Sequence, residues 1–454
     1  MRRLAPLALF VAFALTAIGP IRNYDFFWHI ATGRWIVEHR ALPLTDPFTL
    51  AADAREWING EWLFEIVAYG LHELTGIEGI SLLRGLLAGA IFLVLYFRSR
   101  KDVLLTAIAF AGAMATFDFR PASVALLFVA LSISSRSWIA HAILSALWIN
   151  VHPSALLAPG IAALSTRRVA PVAASALALL VNPHGWRAIT APIELMSMIG
   201  SGAFINAEWL PSRPQQFPLL FLCVFAGIVG FAMRYKEDDT IWRALLFAGF
   251  AFLAIRHVRH QGLFFAAFPL LMPRFEIRRT IATPAAIAAI ALIAITADHR
   301  LGIAPERYPA QAVARLKATG LPGHIYNPDQ FGGYLIWTFY PQRRVLTDGR
   351  NELQHTFIEE YARARRDQIA WRVLLAKYRI DLAVDEYRPP LQVIDAVTRQ
   401  QRSMPASLAY WPRERWALLA YDEAGMVFAR RAAFAPEVLA RWELKGVVPD
   451  AARN

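Results

Sequence analysis

Cysteine and charge are what this 454-residue chain has least of. Its one cysteine, Cys223, lies inside an apolar run, which excludes an internal disulfide and a thiolate metal cluster. Charged residues make up 18% of the chain against 56% hydrophobic. That balance excludes a soluble protein of this size and leaves a multi-span membrane protein. Familiar catalytic signatures are missing too: there is no Gly-x-Ser-x-Gly elbow and no His-Glu-x-x-His helix. The pair Gly332-Gly333 lacks the Lys-Ser/Thr of a phosphate-binding loop and reads as a structural turn or a close backbone approach. No zinc-type ligand spacing occurs. A metal site would have to join Asp25 to His29, His152, His184 and His257 from scattered positions, so the metal signal is weak and a divalent cofactor is left open.

What is present is basic charge in a pattern. The formal net charge is +12, and Lys and Arg fall mostly in short clusters between apolar runs. That is the signature of cytoplasmic loops, so nucleic acid is rejected as a partner and membrane lipid is kept. Met1-Arg2-Arg3 ahead of the apolar run Leu4 to Gly19 resembles a signal peptide. No small-x-small cleavage site follows, and the run reads as an uncleaved first helix with its start in the cytoplasm.

Further spans are expected at Ile80 to Phe97, Leu104 to Phe117, Ala122 to Ile133, Trp138 to Val151, Ser154 to Leu164 and Ala170 to Val181. Others follow at Phe217 to Met233, Ile241 to Ile255, Leu263 to Met272 and Ile281 to Thr296. The total is about eleven, several shorter than the ~20 residues a bilayer asks of a helix. Basic groups then fall inside (Arg98, Arg100, Lys101, Arg136, Arg167, Arg168, Arg234, Lys236, Arg274, Arg278, Arg279), with Arg256 to His260 the outside exception.

The fold expected is an α-helical polytopic membrane bundle with a C-terminal α/β domain on the outer, periplasmic side. Residues 1–296 form the membrane part, carrying an outer loop at 22–76 with interfacial helices at Phe27 to His39 and Glu56 to Leu74. A second outer loop, Asn182 to Gln216, includes Asn206-Ala207-Glu208-Trp209. Residues 297–454 have a soluble composition. Helices are predicted at Tyr308 to Thr319, Phe357 to Arg366 and Ile369 to Tyr378. Strands are predicted at His324 to Tyr326, Arg344 to Thr347, Asp381 to Asp385, Trp416 to Tyr421 and Met426 to Ala429.

The densest chemistry directly follows the first apolar run: Asn23-Tyr24-Asp25-Phe26-Phe27-Trp28-His29. A helix starting near Asp25 would put Asp25 and His29 four apart on one face, with the carboxylate at the positive helix end. The plain alternative is a helix cap among interfacial aromatics. Glu61, Arg120 and Glu208 add polar groups on the same outer side, and water-facing loop ends account for many of them. Arg256 and Arg259 with His257 form a cationic cluster suited to a phosphate or pyrophosphate, because arginine grips oxyanions as a fork. Lipid headgroup binding without catalysis weighs equally.

Asp25-Phe26-Phe27-Trp28-His29-Ile30-Ala31-Thr32-Gly33-Arg34-Trp35, then Thr45-Asp46-Pro47-Phe48, Trp57 and Glu61-Trp62-Leu63, resembles bacterial polytopic proteins related to the C-type glycosyltransferases. Asn327, Gly332-Gly333-Tyr334-Leu335-Ile336-Trp337 and Asp348-Gly349-Arg350 match in the tail. The resemblance implies transfer of a sugar from a polyprenyl-phosphate carrier to a glycan, lipid or protein acceptor on the outer face of the bacterial inner membrane. It places Asp25 at the position of the acidic catalytic residue of the first loop. The Asp-Glu pair of many relatives is absent, since Phe26 follows Asp25. Two other classes stay open: a flippase or transporter for a lipid-linked substrate, and a non-catalytic envelope assembly protein.

Overall fold

The computed structural model describes residues 5–200, 207–234, 239–273, 279–394 and 400–451. Arg2, Arg3, Lys236, Asn206, Arg274 and Arg278 lie outside the described residues. The helices in chain order are α1 Ala5–Ala17, α2 Phe26–His39, α3 Trp62–Arg98, α4 Val103–Ala113, α5 Pro121–Ser134, α6 Trp138–Ile149, α7 Ala158–Thr166, α8 Val169–Ala178 and α9 Arg187–Gly200. They continue with α10 Pro218–Met233, α11 Thr240–Arg256, α12 Gln261–Leu271, α13 Arg279–Thr296, α14 Ala310–Thr319, α15 Asp329–Phe339, α16 His355–Ala364 and α17 Gln368–Lys377. Strands are β1 His324–Tyr326, β2 Ile380–Glu386, β3 Leu391–Ile394, β4 Gln401–Met404, β5 Trp416–Tyr421 and β6 Gly425–Arg430. The chain is thus mostly helical with a C-terminal α/β region. It divides into two compact units, Met1–Asn23 with Ile58–Gly302, and Tyr24–Trp57 with Ile303–Asn454.

In the first unit every expected span coincides with helix, mostly in short pieces. Among the described residues, α3 is the one helix long and apolar enough to cross a membrane, accompanied by a set of shorter apolar helices. The expected interfacial helix and first returning span are joined in α3 across a break at Gly76, whose φ of 67° no helix accommodates. The expected span Ser154 to Leu164 opens as a 3-10 turn, Pro153–Leu157, before α7. Residues 187–200, expected as loop, form the amphipathic α9.

Two contacts organise this unit. α1 lies on α3 at Gly85 and Gly89, four apart on one face. A methyl group on Gly85 would sit 2.7 Å from the Ala14 carbonyl oxygen, and one on Gly89 would sit 3.0 Å from that of Phe10. Small residues at this spacing let two helix backbones approach closely. α12 packs against α4, α5 and α11, and all its residues from Gln261 to Pro269 are buried. A helix apolar around its whole circumference belongs in the middle of a bundle.

The second unit is built on a four-stranded sheet in the order β1-β2-β6-β5, with β1 parallel to β2 and the other pairs antiparallel. Alternation along the strands feeds two cores. Leu382, Val384, Val427, Ala429, Ala417 and Leu419 face one, and Ala383, Met426, Phe428, Trp416 and Leu418 face the other. Stretch 344–347, expected as a strand, makes only isolated bridges, from Val345 to Thr49 and to Ile325. Through them residues 48–51 extend the sheet edge, with Leu50 N–H donating to Val345 O at 2.8 Å and Val345 N–H to Phe48 O at 3.1 Å. Residues 24–57 therefore fold with the tail.

The glycine pair is not a turn. Gly332 and Gly333 lie inside α15, where the close-approach reading applies. A Cβ on Gly332 would meet the Thr347 carbonyl oxygen at 2.2 Å and Asp348 Cα at 2.6 Å, and one on Gly333 would meet Tyr24 O at 2.8 Å. α15 is thereby pressed against both the 347–348 backbone and the start of α2. Gly332→Ala is expected to lower stability by about 1–3 kcal/mol through overpacking against backbone. A thermal melt of the full-length variant indistinguishable from wild type would refute this packing.

Candidate functional site

Asp25 immediately precedes α2, yet its carboxylate does not cap the helix. Its Oδ1 accepts a hydrogen bond from the Trp28 indole Nε1 at 3.2 Å, one turn along. The main-chain oxygen of Asp25 accepts the His29 N–H at 3.1 Å. His29 is buried, with its ring 3.7 Å from that of Trp28, centroid to centroid. A Cβ on Gly349 would lie 3.0 Å from Asp25 Oδ1, so the carboxylate abuts the Asp348-Gly349-Arg350 backbone. The cap reading is replaced by a carboxylate held between an indole and a glycine.

Arg350 is the charged centre of this region. It is 2% exposed, between Asp46 at 8% and Asp348 at 0%. Its Nη2 donates to Asp46 Oδ1 at 2.9 Å and its Nε to Asp348 Oδ2 at 2.9 Å. Burial works against the charge on Arg350, but the carboxylates of Asp348 and Asp46 more than offset it and raise its pKa. Its guanidinium carbon lies 4.5 Å from the Trp57 ring centroid, 5.2 Å from Phe48 and 5.7 Å from Trp28, an aromatic enclosure that favours a weakly hydrated cation. The remaining carboxylate valences are filled by Phe48 N–H and Thr49 N–H on Asp46 and by Gln354 Nε2 on Asp348. Nothing in the spacing of Asp46 and Arg350 foretold this pairing, although Thr45-Asp46-Pro47-Phe48 and Asp348-Gly349-Arg350 both stand out as motifs in the sequence.

The first unit holds a second cluster. Arg120 Nη1 donates to Glu208 Oε1 at 2.6 Å, and Arg259 lies over the Trp209 ring at 4.2 Å. Burial raises the Glu208 pKa, but Arg120 and Arg259 outweigh it, so the group ends below the usual carboxylate range. Loop and turn are stapled together. His257 Nδ1 meets Trp209 O at 2.6 Å, Ser212 N–H donates to Ile255 O at 2.9 Å, and Gln261 Nε2 to Ser212 Oγ at 2.8 Å. Arg120, His152, Arg259 and His260 are among the residues lining a small cleft, and His152 Nε2 is 3.9 Å from Glu61 Oε1.

Of the sequence candidates in this unit, Arg120, Glu208, His257 and Arg259 are thus brought together. Glu61 joins through His152. Arg256 ends α11 exposed and does not line the cleft. Asp25 and His29 belong to the other unit. Ser212 and Gln261 went unnoticed because neutral polar residues at helix ends carry no distinguishing spacing. Among the described residues no group of three His, Cys, Asp or Glu is placed to hold a metal ion.

The chain combines a helical unit with a sheet-based α/β unit, and the solved structures it resembles in fold include those of an archaeal oligosaccharyltransferase. The chain is similar to AglB of Archaeoglobus fulgidus in complex with an inhibitory peptide and a dolichol-phosphate, at TM-score 0.55 and 9% identity over 89% of this chain and 74% of that one. It is similar to the apo form at TM-score 0.56 and 9% identity, over 85% and 70%. Similarity to the form tethered to an acceptor peptide with the NVT sequon is at TM-score 0.53 and 9% identity, over 89% and 74%. At that identity the likeness is one of fold. No family model and no curated protein sequence matches the chain.

Two consequences can be measured. Arg350→Ala leaves two buried carboxylates without their cation and is expected to cost about 3–5 kcal/mol in unfolding free energy; a loss below ~1 kcal/mol in denaturant titration would contradict the buried pairing. His260 is the second. Burial, then Arg259 and His257, lower its pKa from 6.5 to about 4. The unfolded imidazole takes up a proton before the folded one, so stability is full above pH 6.5 and falls as the pH drops towards 4, by on the order of 3 kcal/mol at most. His260→Gln should flatten that slope, and an unchanged slope would exclude His260 as its source.

Proposed function

We propose that this chain is a membrane glycosyltransferase that moves a sugar from a polyprenyl-phosphate carrier to an acceptor on the outer face. The observation that carries the reading is the fold likeness, which extends over 89% of the chain to an enzyme whose solved complex holds a dolichol-phosphate. The motif around Asp25 supports it independently, because that residue begins the first helix after the first apolar segment. In this reading the protein is a multi-pass protein of the bacterial inner membrane with about eleven spans. The N-terminus is cytoplasmic and residues 297–454 lie on the outer side.

Asp25 takes the role of general base. Its carboxylate accepts the proton of the acceptor hydroxyl as the new bond to the anomeric carbon forms and the bond to the carrier phosphate breaks, with inversion. The Trp28 indole donates to the carboxylate and Gly349 packs against it, and His29 orients it for the acceptor hydroxyl. The departing phosphate gains charge, which arginine stabilises. In the first unit Arg256 and Arg259 with His257 take that role, beside Arg120, Glu208 and Glu61. Arg120 and Arg259 both act on the Glu208 carboxylate, which ties the two guanidiniums to one anchor.

Asp25→Asn is expected to fold, insert and retain co-purified polyprenyl-phosphate while transfer falls by about 10²-fold or more. Arg256→Ala with Arg259→Ala is expected to lose the lipid instead. Mass spectrometry of the purified protein together with a transfer assay separates the two, and normal transfer by Asp25→Asn would sink the mechanism.

A further inference from the structure

Away from Asp25 and from the cationic cluster of the first unit, a cavity of about 440 Å³ opens within the second unit. It runs between α17, strand β3 and the segment leading into β5. Its charged lining is Arg365, Arg366, Arg372, Arg415 and Arg430, against the single carboxylate Asp367. Asp367 is already engaged, its Oδ1 accepting the N–H groups of Ile369 at 2.6 Å and Ala370 at 3.2 Å as the cap of α17. Two of the arginines have partners: Arg430 pairs with Asp381, and Arg365 lies 3.8 Å from Glu386. Arg366, Arg372 and Arg415 form no ion pair among the described residues. The Nε of Arg430 is buried and makes no hydrogen bond.

We propose that this cleft binds an acidic saccharide, a sugar bearing a carboxylate or phosphate, as part of the acceptor. The proposal rests on the transferase reading and adds the chemical class of its acceptor. Guanidinium forks match both oxyanions, and three of them without an ion pair among the described residues, beside one spent carboxylate, create a field that an anion relieves. The volume lies in the range of small-molecule sites and exceeds what a bare oxyanion needs. The body of the ligand meets aliphatic surface from Leu375, Leu391 and Val393, which suits the C–H face of a pyranose.

A nucleobase is disfavoured, because the aromatic rings of the cleft are already covered. Trp371 is 3% exposed and Trp416 5%. Trp371 packs on Tyr410 at 5.1 Å, and Trp416 on Trp411 at 4.8 Å. Tyr410 lies under the guanidiniums of Arg365 at 5.6 Å and Arg388 at 5.1 Å. No open ring face is left for base stacking.

The test uses the full chain in nanodiscs of neutral lipid, probed with trigalacturonate, its neutral methyl ester, glucose 6-phosphate and, separately, phosphatidylglycerol vesicles. Trigalacturonate or glucose 6-phosphate is expected to bind, and the ester at least about ten-fold more weakly than the acid. Arg372→Glu with Arg415→Glu, both exposed positions, should weaken the acid by at least about ten-fold, while Arg441→Glu, outside the cleft, should not. The proposal is overturned if acid and ester bind equally, if neither acidic sugar binds, if the double variant binds as wild type, if Arg441→Glu weakens binding to the same extent, or if only anionic vesicles bind. Asp25→Asn should bind the saccharide normally, so failure of the cleft and failure of the transferase reading are read separately. The acid–ester comparison on wild type stands even where the double variant misfolds.

Discussion

The second unit depends on one buried cation. Arg350 sits between Asp46 and Asp348 with almost no solvent contact, in surroundings where an unpaired charge would cost several kcal/mol. Its two carboxylates come from segments some three hundred residues apart. Meeting there brings residues 46–51 alongside 345–346, where backbone hydrogen bonds extend the sheet. The same loop delivers Gly349 against Asp25 and the 347–348 backbone against Gly332. Ion pair, sheet edge and the seat of α2 thus meet at one short loop. A hydrophobic triad of equal volume could supply similar stability, but it would not dictate the register so narrowly.

The first unit handles charge differently. Its cluster is small, half-open and stitched by neutral groups: a histidine on a tryptophan carbonyl, a serine on the end of α11, a glutamine on that serine. Arginine keeps Glu208 ionised, and burial together with Arg259 keeps His260 neutral. Cationic character is therefore concentrated on guanidiniums, whose charge no accessible pH removes.

The two units also solve different packing problems. In the helical unit, small residues at Gly85 and Gly89 and the all-apolar α12 let short helices approach closely, a solution that works where side-chain hydrophobicity alone cannot order the bundle. In the α/β unit, period-two alternation along β2, β5 and β6 supplies two distinct cores on opposite faces of the sheet. Gly332 and Gly333 bring the helical solution into the second unit, where α15 touches bare backbone.

Much of this was legible in the chain itself. Apolar runs placed the helices of the first unit, because burial of a long apolar segment is a local property. Alternation placed β2, β5 and β6, since side chains two apart share a face whatever the sheet order. Asp25 was found at the head of α2, and Arg120, Glu208, His257 and Arg259 were named as site candidates. Hidden from the sequence were the break at Gly76, the helical setting of the glycine pair, the reduction of 344–347 to a bridge and the partnership of Asp46 with Arg350. The helix and strand signals are periodicities of neighbours, readable from composition over a few turns. The rest are meetings between segments far apart in the chain, decided only when burial forces each charge and each backbone group to find a partner.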